Sequence, residues 1–279
     1  MLDIAIIGSG PAGLSAAINA AQRNKTVAVF GRGIETSMLY KAEKVDNYIG
    51  MPAVTGKAML EEFYNHAKTK GVEIKKSKVY QIFKTGDHYT LNADNNFVEA
   101  KKIIIASGIE KGKPIEGEKE LLGRGVSYCA TCDGMLYRGR EVAFIADSKA
   151  AEEDLKFLWE ICKKVYFIPL YKYDGDLPEN VEIIKEKPVK IYGDEFVEGV
   201  KCSDRDIKCD GVFIIKESMP VSALIDGIET ENGAIKVDRQ METSIKGVFA
   251  AGDCTGAPYQ ISKAVGEGLV AALSAVKEL

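Results

Sequence analysis

The 279-residue chain is 46% hydrophobic and 28% charged, and its 37 basic and 41 acidic side chains leave a net charge of −4. At roughly 150 residues per domain this length points to two domains, and the composition excludes disorder as the main state and a broad nucleic-acid-binding face. Apolar runs such as Ile103-Ile104-Ile105-Ala106 fall far below the roughly 18 residues needed to cross a bilayer, so no membrane span is expected.

After Met1-Leu2-Asp3 the chain passes straight into the β-branched run Ile4–Ile7, so no signal peptide is visible and a cytoplasmic location is expected. A glycine-rich turn then leads to an alanine-rich helix over Leu14–Arg23 and a strand over Thr26–Phe30, which together make a βαβ unit. Lys57–Lys70 reads as an amphipathic helix with Met59, Leu60, Phe63 and Ala67 on one face. Short strands over Lys78–Phe83, Tyr89–Ala93 and Phe97–Ala100 form a β-meander, and a further strand, Lys102–Ala106, ends in Ser107-Gly108.

A second βαβ unit has Val142–Ile145 and Val165–Ile168 as strands and Ala150–Lys164 as its helix, with Trp159 on the apolar face. Strands around Val181–Ile184, Val189–Ile191, Gly199–Cys202 and Gly211–Ile215 repeat the meander, so both halves follow one duplicated plan. The strand Gly247–Ala251 runs into Gly252-Asp253, and a closing helix spans Ile261–Lys277. The expected fold is α/β: two Rossmann-like three-layer ββα domains, the second inserted into the first. Residues 1–113 and 218–279 form one domain and residues 114–217 the other, with hinges at Gly112-Lys113-Pro114 and Glu217-Ser218-Met219-Pro220.

Gly8-Ser9-Gly10-Pro11-Ala12-Gly13 lies between a strand and a helix, where each glycine has a mechanical reason. The first permits the tight turn, the second lets the backbone approach a pyrophosphate, and the third allows close helix–strand packing. The helix N-terminus adds unpaired N–H groups and a favourable dipole. The usual acidic ribose contact after the second strand is not evident, and Glu35 is a weak candidate for it. The matching turn of the second unit, Ala146-Asp147-Ser148-Lys149-Ala150-Ala151, has no glycine and places a carboxylate where a pyrophosphate would lie. No arginine follows its second strand, which continues as Pro169-Leu170-Tyr171-Lys172-Tyr173.

Six cysteines are too few for a disulfide-stapled scaffold. Cys129-Ala130-Thr131-Cys132-Asp133-Gly134 nevertheless places two thiols at the spacing of a redox dithiol. A helix N-terminus following the turn would favour a thiolate, and Asp133 is placed to carry a proton. A metal site or inert cysteines are the alternatives, but Cys162, Cys202, Cys209 and Cys254 supply no second C-x-x-C, and Cys254 reads as a packed residue. The two histidines, His66 and His88, lie away from every motif, so chemistry on a histidine base is not expected.

Together these segments, with Val45-Asp46-Asn47-Tyr48-Ile49-Gly50, Ile105-Ala106-Ser107-Gly108 and Gly247-Val248-Phe249-Ala250-Ala251-Gly252-Asp253, resemble the low-molecular-weight thioredoxin reductase family over essentially the whole chain. The resemblance implies FAD held by the Gly8–Gly13 turn and by Ser107 and Gly108. It places Asn47 near the flavin, Gly252 and Asp253 at the ribityl chain, and Gln260 and Ile261 at the isoalloxazine. It also implies that Cys132 faces the flavin, that Cys129 attacks the disulfide of thioredoxin, that Asp133 acts as acid and base, and that the protein is a homodimer without a metal.

The departures from that family concern the electron donor. Its glycine fingerprint and His-Arg-Arg segment for NADPH are missing at Ala146–Ala151 and Pro169–Tyr171, and Tyr259 stands where an arginine usually precedes the glutamine. Thr36-Ser37-Met38 replaces the usual Gly-Gly-Gln. The dithiol without the pyridine-nucleotide contacts resembles the ferredoxin-dependent flavin thioredoxin reductases, which implies reduced ferredoxin as donor. An NAD(P)H-dependent reductase with an unorthodox site, a deazaflavin-dependent reductase and a non-catalytic metal-binding or redox-sensing flavoprotein are the alternatives. Ferredoxins are acidic, so Arg138, Arg140, Lys149, Lys163 and Lys164 are candidates for a docking patch.

Overall fold

Four consecutive side chains of β1 (Leu2–Ile7) show how the first sheet is buried: Ile4 and Ile6 enter one core and Ala5 and Ile7 another. Both faces are covered, as in parallel sheets generally. A computed structural model describes residues 1–109, 114–216 and 221–279. The expected hinges therefore lie outside the described residues, Pro114 excepted. The chain divides into two units, Met1–Glu110 with Pro220–Leu279, and Lys111–Met219.

The first unit begins with β1, α1 (Pro11–Ala21), β2 (Val27–Gly31), α2 (Gly56–Thr69), β3 (Glu73–Lys76), β4 (Val79–Thr85), β5 (His88–Ala93) and β6 (Asn96–Ile105). The inserted unit contains β7 (Val126–Ser127), α3 (Ala130–Asp133), β8 (Glu141–Ala146), α4 (Glu152–Ile161), β9 (Lys164–Pro169), β10 (Val181–Ile183), β11 (Pro188–Tyr192), β12 (Gly199–Cys202), β13 (Asp206–Lys208) and β14 (Gly211–Ile215). The chain then completes the first unit with α5 (Val221–Leu224), a hairpin of β15 (Thr230–Glu231) and β16 (Ala234–Ile235), β17 (Val248–Ala250) and α6 (Ile261–Lys277).

In the first unit the strand order is β3-β2-β1-β6-β5-β4, with β17 also on β6. β6 is one ten-residue strand, not the two expected over Phe97–Ala100 and Lys102–Ala106. No glycine or proline interrupts it, and each half has its own partner: Phe97–Ala100 pairs antiparallel with β5, and Lys102–Ile105 pairs parallel with β1. The edge strand β3 was not expected, because three of its four residues are charged and leave no alternation to read. α1 and α6 cover one face through Ala16, Ala17 and Ala20 against Ala264, Ala271, Ala272 and Ala275. Leu224, Ile225 and Ile228 close the other face.

The inserted unit has a parallel sheet in the order β10-β9-β8-β14-β7 and a separate antiparallel sheet β11-β12-β13. Two of the expected meander strands therefore belong elsewhere. Val181–Ile183 pairs parallel with β9, and Gly211–Ile215, buried along its whole length, lies between β8 and β7. The helix expected over Ala150–Lys164 is a 3-10 turn at Lys149–Ala151 followed by α4, which stops at Ile161. Strand pairing of Lys164 with Glu141 overrides helical propensity there. The core joins Phe144, Phe167 and Phe213 with Leu155 and Leu158, and Trp159 packs against it.

Candidate functional site

The glycine turn of the first unit is held by contacts that tolerate no side chain. Gly8 has φ of +117°, and a β-carbon there would stand 2.1 Å from the Ala106 oxygen. One at Gly13 would stand 1.9 Å from the Gly8 oxygen. Gly10 differs, because its nearest neighbour would be Ser37 Oγ at 4.0 Å, leaving open space before its backbone. Gly10 is also the N-cap of α1, with Pro11 next, no side chain capping the helix and no acidic residue in its first turn. Free amides and the positive end of the helix dipole thus face a cradle suited to a pyrophosphate.

Other expected contacts converge on the first unit. Asn47 Nδ2 donates to Gln260 Oε1 at 2.9 Å across 213 residues of sequence. A β-carbon on Gly252 would approach that of Ala12 at 2.8 Å, so the Asp253 loop abuts the glycine turn. Burial pushes the Asp253 carboxyl above its ordinary value. Ser107 is exposed and Gly108 half-buried, directly beyond the β6 end that packs on Gly8. Ile261 begins α6, whose N-cap is Gln260. At Glu35 its own backbone N–H and then Lys76, at 3.3 Å, hold the carboxyl below the ordinary value.

Two residues that sequence reasoning missed brace this loop. Lys263 Nζ donates to the Gly252 and Gly256 carbonyls and to Thr255 Oγ1, at 2.9, 2.8 and 2.9 Å. Glu267 accepts the Gly252 N–H at 2.8 Å and pairs with Lys263 at 3.1 Å. Their four-residue spacing on α6 is a readable signal for the pair, but not for its target.

In the inserted unit Cys129 and Cys132 are disulfide-bonded, with Cα atoms 5.3 Å apart. The helix starts inside the motif rather than after it, with Cys129 as the N-cap of α3 and its Sγ accepting the Cys132 N–H at 3.1 Å. Cys129 is buried and Cys132 exposed. The Asp133 carboxylate accepts from Ser127 Oγ at 2.6 Å. Nearby, the fully buried Glu118 accepts from Tyr128 OH and Lys216 Nζ, both at 2.8 Å, and from the Ile115 N–H at 2.7 Å. Lys216 comes from 98 residues away, so that pair leaves no local pattern.

The turn that corresponds to the glycine motif is built differently. Its helix, α4, opens with Glu152, Glu153 and Asp154, and Tyr171 OH donates to Glu152 at 3.3 Å. Carboxylates occupy the positive end of the dipole that an anionic ligand would use. Of the five candidate docking cations, Lys149, Lys163 and Lys164 are paired with Asp174, Glu141 and Glu182. Arg138 and Arg140 have no such carboxylate partner among the described residues. Also among the described residues, no group of three or more His, Cys, Asp or Glu side chains is arranged to hold a metal, and no helix is long and apolar enough to cross a membrane.

The family model for pyridine nucleotide-disulphide oxidoreductases matches residues 2–149 and 177–268. A ferredoxin-flavin thioredoxin reductase from Clostridium acetobutylicum is 48% identical, with a TM-score of 0.89 over 99% of this chain and 96% of that one. The thioredoxin reductase of Bacillus subtilis is 32% identical over 98% of this chain and 93% of its own length. That of Aquifex aeolicus is 35% identical over 90% and 84%.

Proposed function

Given that the chain belongs to the pyridine nucleotide-disulphide oxidoreductase family, as an FAD-dependent disulfide reductase of the thioredoxin reductase type, we propose that it draws electrons from reduced ferredoxin instead of NADPH. The acceptor in this reading is the disulfide of thioredoxin, reached through Cys129 and Cys132. The contrast between the two turns carries it: Gly10 faces open space, whereas the turn at Asp147–Ala151 has no glycine and leads into three carboxylates. The similarity to a protein described as a ferredoxin-flavin thioredoxin reductase supports the same donor.

In this reading Gly8, Ser9, Gly10, Pro11, Ala12 and Gly13 would hold the pyrophosphate of FAD, and Asp253 would accept from the ribityl hydroxyls. Ser107, Gly108 and Gly252 would shape the walls, and Asn47, Gln260 and Ile261 would serve the ring. When bound, FAD supplies the exchange between single-electron and paired-electron transfer. Reduction of Cys129–Cys132 consumes two electrons and two protons. Cys129 Sγ is then left facing the Cys132 N–H, an arrangement that stabilises a thiolate. We assign the attack on thioredoxin to Cys129, the flavin side to Cys132, and proton transfer to Asp133. The exposed Met135 and Leu136 adjoin the pair and offer apolar surface to a protein substrate. Arg138 and Arg140 supply the cationic contact for an acidic donor, in a cytoplasmic homodimer.

Anaerobic mixing with reduced ferredoxin is expected to bleach the flavin and yield thioredoxin thiols, while NADPH leaves the flavin oxidised. Rapid bleaching by micromolar NADPH with no response to ferredoxin refutes the donor. A Cys132→Ser variant is expected to accumulate a mixed disulfide with thioredoxin at Cys129. Trapping only in Cys129→Ser would reverse the two roles.

A further inference from the structure

Ser127 ends β7 and is 95% buried, with 5% of its surface exposed. Its hydroxyl oxygen accepts the Cys129 N–H at 3.1 Å. Its single proton has two acceptors within reach, Asp133 Oδ2 at 2.6 Å and the Cys129 carbonyl at 3.2 Å. The shorter contact, to a carboxylate, is the stronger one. One hydroxyl thereby ties the N-cap cysteine to the acid at the other end of α3. Asp133 Oδ1 has no hydrogen-bond partner among the described residues.

We propose that Ser127 is a positioning residue for thiol–disulfide exchange. By donating to Oδ2 it favours the ionised carboxylate and leaves Oδ1 as the oxygen that handles the proton. The inference rests on the reading of Asp133 as proton carrier. In the exchange, the Cys129 S–H bond breaks, its proton passes to Asp133 Oδ1, and the sulfur forms a bond to one sulfur of the thioredoxin disulfide. The other thioredoxin sulfur leaves as a thiolate. Cys132 then attacks Cys129, reforming the disulfide and releasing the second thioredoxin sulfur. The proton held on Oδ1 and the one from Cys132 go to the two departing sulfurs, so thioredoxin gains two electrons and two protons.

Tyr137, in the following turn, has its hydroxyl pushed above the ordinary value of 10.0, first by burial and then by the Asp133 charge. Arg140, Asp210 and Cys209 act on that same tyrosine. From α4, Phe157, Leu158 and Ile161 face Gly134, so this helix presents apolar groups beside the motif.

The test uses the full-length protein with its flavin, reduced chemically so that the donor does not enter, and mixed with oxidised thioredoxin across a pH series. Ser127→Ala is expected to move the acid limb of the single-turnover rate profile up by about one pH unit, which slows thioredoxin reduction about tenfold on that limb, with rates converging at high pH. Ser127→Thr, which keeps the hydroxyl, is expected to restore both. A uniform slowing of Ser127→Ala at every pH, or full activity with an unmoved limb, overturns the proposal. Asp133→Asn separates the two layers: full activity there overturns the proton-carrier reading itself, whereas a slow Asp133→Asn beside an unshifted Ser127→Ala overturns only the role of Ser127. Melting curves of all variants check the fold, and if Ser127→Ala melts early, the Ser127→Thr limb decides the matter: a limb displaced upward despite a native melt overturns the proposal, and an unmoved limb supports it.

Discussion

Two glycines on α6 provide a matched test of how the cofactor cradle is held. A β-carbon at the exposed Gly266 would meet nothing within 4 Å, whereas one at the buried Gly268 would stand 2.2 Å from the Ala12 carbonyl oxygen and 3.0 Å from its carbon. Alanine in place of glycine inside a helix is favoured by roughly 1 kcal/mol, so Gly266→Ala should raise the melting temperature by about 3 °C for a chain of this size. At Gly268 the same gain is opposed. Ordinary contact begins near 3.4 Å, and the obstacle is backbone that cannot rotate away, so α6 and α1 must part by about 1 Å at an overpacking cost of about 1–3 kcal/mol. The net loss of up to about 2 kcal/mol corresponds to a fall of about 4–8 °C in melting temperature. Because Ala12 lies in the first turn of α1, Gly268→Ala should also weaken flavin retention. Melting of the apoproteins and equilibrium flavin release measure both effects. A Gly268→Ala protein that melts like Gly266→Ala and keeps its flavin would refute the packing account.

Three further expectations concern charge. Lys216→Met strips the buried Glu118 of its cation and should cost about 3–5 kcal/mol in urea unfolding, most of it recovered by adding Glu118→Gln; an additive double variant would contradict this. Asp3, held at about 2 first by Lys101 and then by the Thr26 N–H, stabilises the fold above its ordinary value of 3.8, and this stability is lost as pH falls toward about 2. Asp3→Asn should therefore cost about 1 kcal/mol at neutral pH, after allowance for screening, and almost nothing at the acid end; a pH-independent difference in melting would rule that out. Asp253, pushed up by burial, makes the reverse contribution, since ionising it as pH rises costs stability. Asp253→Asn should stabilise the apoprotein increasingly as pH rises above the ordinary carboxyl value of 3.8 while loosening the flavin; equal melting temperatures across the pH series would show that its burial has no such cost.

The parts legible in the sequence were those with a local period or a fixed spacing: the glycine turn, the C-x-x-C-Asp motif, α6, and apolar strands such as Val142–Ile145. The misreadings have physical causes. β6 reads as two strands because its two halves face different partners, and α4 loses its last turn to strand pairing. Ser127, two residues before Cys129, is unremarkable until the α3 turn brings Asp133 back to it. Glu118 and Lys216 are 98 residues apart, so no local spacing announces the pair. Asp147 in the second nucleotide turn was readable, but the three carboxylates that open α4 and the closure of Tyr171 onto Glu152 show only in the fold.

Cys162, Cys202, Cys209 and Cys254 are all free and all buried. Burial pushes the thiols of Cys162 to about 11 and of Cys209 and Cys254 to about 12, and raises that of Cys202. Sulfur exchange requires both a thiolate and access. These four groups are therefore silent bystanders during turnover, unable to scramble with the working pair or to form stray adducts with partner proteins. Such segregation lets a cysteine-bearing reductase shuttle repeatedly between its two oxidation levels without corrupting its own covalent connectivity.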